Sequence, residues 1–145
     1  MTDYIKYLGV KHDYLNNNCI TLISDIYKNE LDSDVFDSLW THLKIPEGKP
    51  IDGRKWMKRV SFDSIINWAS TVAKKVNLTE LQEYDVILFK SGRLIPTHFG
   101  LYINNNRFIH LEELRTSKID VLNDALHDLE IEKQIIMKRL YGGIK

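Results

Sequence analysis

From Cys19 to Leu31 the apolar positions Ile20, Leu22, Ile23, Ile26, Tyr27 and Leu31 recur at three- and four-residue intervals, with Ser24, Asp25, Lys28 and Asn29 between them. That spacing predicts an amphipathic helix with one face committed to a core. Asn17 or Asn18 can cap it, because a short amide side chain accepts from the backbone N–H groups that a first turn leaves unpaired. Residues 34–44 predict a second, short helix. Phe62, Ile65, Ile66, Trp68, Ala69, Val72, Ala73 and Val76 predict a third, running to Val76 with Ser61 as its cap. The intervening IPEGKPIDG, residues 45–53, holds two prolines and two glycines and reads as a surface connection.

The pattern then changes period. YDVILFK, residues 84–90, is a β-rich run, and THFGLYI (97–103) and RFIHL (107–111) flank the triplet Asn104 to Asn106. This predicts a strand followed by a hairpin, since asparagine tolerates the left-handed backbone of tight loops. The tail predicts a helix over 119–129 and a last strand over 134–141. The whole reads as one α+β domain over residues 1–145, with N-terminal helices packed on a small antiparallel sheet.

Composition narrows the partners. Twenty basic and twenty acidic side chains cancel, so charge does not favour nucleic acid. No apolar run is long enough to span a bilayer, and MTDYIKYLGV has neither the basic start nor the apolar stretch of a secretory signal. The one cysteine among 145 residues excludes an internal disulfide and a CxxC pair. No His or acidic pair recurs at ligand spacing on one element, so neither a metal nor another cofactor is expected.

Register gives the histidines their interest. With a three-residue loop at Asn104 to Asn106, facing pairs sum to 210. Gly100 then faces His110, and His98 lies diagonally from His110 on the same face. A two-residue loop would send them to opposite faces. A thiol in the first turn of a helix feels the positive end of the helix dipole, and an imidazole beside it can take its proton. Cys19 is thus a candidate nucleophile and His98 its base. His110, neutral and accepting, would hold the His98 ring in the useful tautomer. Singly, these residues have plainer readings: a lone cysteine in an apolar run is ordinarily a small buried hydrophobe, and His12, His42 and His127 show that histidine is not rare here.

Taken together these residues resemble the NlpC-type papain-like cysteine peptidases, especially the compact versions encoded in bacteriophage tail regions. Tyr14 followed by Asn17, Asn18 and Cys19 resembles the family's aromatic residue and Asp-Cys turn. YDVILFK resembles its Gly-Asp-Val strand, HFGLYI its His-Val-Gly-Ile-Tyr strand, RFIH the strand carrying the third polar residue twelve positions on, and IIMKRLYG the closing strand. The chain departs from the pattern at Asn18, at Tyr84 in place of glycine, and at Ile20-Thr21 in place of a small pair.

The resemblance implies a Cys19, His98, His110 triad, with Tyr14, Asn18 and the Cys19 N–H at the oxyanion or substrate-binding site. It further implies peptidoglycan stem peptide as substrate, tail tip or hub proteins as partners, and a location in the virion or in host cytoplasm during assembly. Other readings are a catalytically silent tail subunit that keeps the fold, an acyl transferase using the same thiol, and an α+β domain without catalysis.

Overall fold

The computed structural model describes residues 3–13, 17–43, 62–76, 78–91, 97–112, 114–122 and 131–140. The first helix, α1, spans Cys19–Leu31, as its apolar period requires. Asn18 caps it: its side-chain oxygen accepts from the N–H groups of Ile20 and Thr21 at 3.0 Å each, and the Thr21 hydroxyl accepts from the Asn18 N–H. This reciprocal box satisfies donors at both ends of the first turn. Helix α2 is Asp37–His42 and α3 is Phe62–Val72. They are tied together by the Trp68 indole N–H donating to Ser38 Oγ and by His42 Nε2 donating to the Ser64 carbonyl.

The third helix is shorter than its periodicity predicts. Ala73–Lys75 leave it as strand β1, pairing with β6 (Ile131–Leu140) through Ala73↔Leu140. Sheet pairing of the backbone here outweighs a side-chain pattern that suits either state. The other strands are β2 (Val86–Ser91), β3 (Thr97–Asn104), β4 (Arg107–His110) and β5 (Lys118–Val121). They form one six-stranded sheet in the order β1-β6-β2-β3-β4-β5, with every pairing antiparallel. The helix predicted over 119–129 is overturned at its start, where residues 119–121 belong to β5 and pair with β4. Residues 123–129 of that prediction lie outside the described residues, as do the connection 45–53 and the cap at Ser61.

Strand alternation divides the sheet's two faces. Phe99, Leu101, Ile103 and Ile109 point to the helices and share a core with Ile20, Ile23, Ile26, Leu39 and Ile65. Ile87, Phe89 and Phe108 point the other way and form a second cluster with Val76 and Leu122. Helix α1 lies against β3 and β4. The chain's start is fastened by Ser117, a buried hydroxyl that accepts from the Val10 N–H and donates to the Tyr7 carbonyl. Tyr84, standing where the resembled pattern has glycine, has φ +73°. A side chain in that region costs about 1–2 kcal/mol. The turn is held there by the Tyr84 N–H on the Tyr102 carbonyl and by the Tyr27 hydroxyl on the Tyr84 carbonyl.

Candidate active site

The hairpin places the histidines as the register argument requires, by a different route. The tip is a two-residue turn at Asn105 and Asn106, with φ of +50° and +62°. Such a turn matches the right-handed twist of the flanking strands and needs residues that tolerate positive φ. Alone it would have moved His98 and His110 to opposite faces. A bulge between Tyr102 and Asn104 inserts one residue on β3, so Asn104 pairs with Arg107 while Tyr102↔Phe108 and Gly100↔His110 keep the sum of 210.

His98 and His110 consequently meet. Nε2 of His98 lies 2.7 Å from Nδ1 of His110, with the rings edge to face at 5.0 Å between centroids. The register Phe108↔Asp120 puts Asp120 diagonally from His110, and the other nitrogen of His110, Nε2, lies 2.6 Å from Asp120 Oδ2. Asp120 is a residue the sequence reading does not single out. Its only signal is the alternation Lys118-Ile119-Asp120-Val121, which also fits a helix.

His110 is fully buried, between Phe108 and the polar groups of β5. Burial holds its pKa below the usual imidazole value of 6.5, against the upward pull of Asp120 and Glu112. Lys118 reaches over this cluster, its ammonium 3.2 Å from Glu112 Oε1 and 3.4 Å from Asp120 Oδ2. Burial lowers its pKa, but the hydrogen bond to Glu112 and the charge of Asp120 outweigh that and raise it. His110, Glu112 and Asp120 stand close enough to share a cation, their ligand atoms lying within 4.8 Å of one another. The Lys118 ammonium supplies positive charge to the same two carboxylates, which is the arrangement of an ion-paired cluster.

Cys19 is the first residue of α1 and is 5 % exposed. It packs with the apolar cluster shared by the helices and the sheet. His98 stands on the opposite face of the sheet, beside Phe89. Any meeting of thiol and imidazole therefore falls at the ends of their elements, the N-terminus of α1 and the start of β3. Asn18, expected at the oxyanion or substrate-binding site, is 1 % exposed, and its oxygen serves as the helix cap. Tyr14 lies outside the described residues. Among the described residues, no helix is long and apolar enough to cross a membrane.

Comparison with known proteins adds one match. The model of the NlpC/P60 family covers residues 6–134, a span that includes Cys19, His98, His110 and Asp120. No curated protein matches the chain.

Proposed function

The chain belongs to the NlpC/P60 family, a family of cysteine peptidases and amidases acting on peptidoglycan, and on that premise we propose that it cleaves amide bonds in cell-wall stem peptides. Cys19 is the nucleophile, His98 the general base and acid, and His110 the residue that orients His98. The observation that carries this reading is the hydrogen-bonded pair His98 and His110, on strands packed against the helix that begins with Cys19.

The chemistry follows from those positions. The helix N-terminus favours the thiolate, and transfer of the thiol proton to His98 generates it. Sulfur then attacks the amide carbonyl carbon, and the carbonyl electrons move to oxygen, where the Cys19 backbone N–H is the candidate donor. Collapse of that intermediate breaks the C–N bond while His98 returns the proton to the departing amine, leaving a thioester on Cys19. Water, deprotonated by His98, attacks the thioester and releases the carboxylate and the thiol. Tyr14 belongs to this proposal as a second oxyanion donor.

Incubation of purified peptidoglycan with wild type and with Cys19→Ala tests the reading. New amines released by the wild type, with a loss of about 10⁴-fold or more in the variant, are the expected result. Release unaffected by the substitution would sink it. The near-complete burial of Cys19 favours a second reading, a catalytically silent tail subunit that retains the fold. That reading expects no release from either protein. The finer placement in a phage tail, in the virion or in host cytoplasm during assembly with tail tip or hub proteins as partners, is supported by the resemblance to compact tail-encoded peptidases. Immunodetection of the chain in purified particles checks it.

A further inference from the structure

Two neutral imidazoles in contact can share their protons in more than one way, and only one arrangement leaves His98 able to accept a proton on the nitrogen that faces away from His110. The structure holds a group that selects between them. A carboxylate oxygen only accepts hydrogen bonds, so the 2.6 Å contact from Asp120 Oδ2 requires that Nε2 of His110 carry a proton. A neutral His110 then has no proton on Nδ1, and across the 2.7 Å contact Nε2 of His98 must donate to it. The nitrogen of His98 without a proton is thereby Nδ1.

We propose that Asp120 is a positioning residue which, acting through His110, fixes the tautomer of His98 and makes its Nδ1 the atom that receives the Cys19 proton. This rests on the reading of Cys19 as nucleophile and His98 as base. Asp120 touches neither the thiol nor the base. Its effect passes along three adjacent strands, from β5 through β4 to β3.

The surroundings of His110 suit this role. The titratable and charged groups facing it are His98 from β3, Asp120 and Lys118 from β5, and Glu112 just beyond β4. Protonated at both nitrogens, His110 would present Nδ1–H to Nε2–H of His98 and break the chain. Its burial opposes that state, and the ion pairs of Lys118 with Glu112 and Asp120 hold the carboxylate in place without placing a cation on the imidazole itself.

The test uses the full chain with histidine side chains labelled with nitrogen-15, read by long-range proton–nitrogen correlation. It is paired with the pH profile of iodoacetamide alkylation, which reports on Cys19 alone because the chain has one thiol. The expected result in wild type is a proton on Nε2 of both His98 and His110. In Asp120→Leu, which removes the acceptor at similar volume, His110 admits the Nδ1–H form. Alkylation near neutral pH then falls on the order of 10- to 100-fold. Asp120→Ala, which also leaves no acceptor, serves if the leucine variant does not fold.

A proton on Nδ1 of His110, or a bare Nε2 on His98, in wild type overturns the proposal. So does an alkylation profile that does not move in a folded Asp120 variant. Neither readout needs a substrate. Failure of the wild type to release amines from peptidoglycan would therefore defeat the peptidase reading without deciding the tautomer question.

Discussion

Gly100 sits on β3 directly opposite His110, and a methyl group added there meets its neighbours at once. An ideal Cβ lies 2.7 Å from Phe108 Cδ2 and 3.1 Å from Phe89 Cε2. Carbon atoms settle at about 3.5–4.0 Å, so the Phe108 ring must retreat by about 0.8 Å. It has nowhere to go. Phe108 and Phe89 are both fully buried with centroids 5.4 Å apart, and on its other side Phe108 lies 4.5 Å from the His110 ring.

Overpacking of this kind costs about 1–3 kcal/mol, and the lower chain entropy of unfolded alanine returns about 0.4–1. With the 2.7 Å approach placing the cost toward the upper end of that range, Gly100→Ala should destabilise the fold by up to about 2.5 kcal/mol in urea titration. The displaced ring also presses on His110, whose two hydrogen bonds of 2.7 and 2.6 Å leave little slack. Activity in folded protein should then fall further than the small unfolded fraction explains. A midpoint equal to or above that of wild type would refute the packing argument, and full activity in a destabilised variant would refute the coupling to His110.

Asn18→Ala removes an acceptor for two N–H groups of the first turn, one buried and one half-buried, and should cost about 1–2 kcal/mol in thermal or urea unfolding; a loss below about 0.5 would mean that the cap is replaceable. The buried His110 ties stability to pH. Its folded pKa lies below the unfolded value of 6.5, so the unfolded chain takes up its proton first, and stability falls as pH drops below 6.5 toward the folded pKa. The slope contributed by this one group reaches at most about 1.4 kcal/mol per pH unit. In a folded His110→Gln variant that contribution should vanish from melting curves between pH 7 and 5; an unchanged slope would assign it to other groups.

Much of this architecture is legible from single residues. The asparagine before Cys19 announces a cap, and the apolar period gives α1 its limits. The sum of 210 for facing pairs pairs Gly100 with His110. The tip itself was less readable, because a turn of two asparagines plus a bulge at Ile103 has the same residue count as a loop of three. The tail is ambiguous for a related reason: Ile119, Val121 and Leu122 satisfy a helical stripe as well as a strand. What decides is the neighbour, since Ile119 pairs with Ile109 and Asp120 with Phe108. Asp120 carries no mark of its own in the sequence. Its meaning comes only from its partner across the sheet. The burial of Cys19 agrees with the plainer reading of a lone cysteine in an apolar run, a pattern that by itself fits a core thiol and a cleft thiol alike.

The bulge in β3 makes the hairpin a ruler as much as a connection. His98, His110 and Asp120 sit on three consecutive strands, and the relative faces of the two histidines are set by counting residues through the turn and bulge between them. Losing one asparagine of the triplet while keeping the bulge, or keeping the turn while losing the bulge, inverts one strand relative to the next. Substitutions at the tip are then a matter of local conformation, whereas insertions and deletions of odd length between His98 and His110 send the two imidazoles to opposite faces. Divergent relatives with this arrangement should accordingly differ in the residues of the β3–β4 tip far more freely than in its length, and where lengths differ, by even numbers.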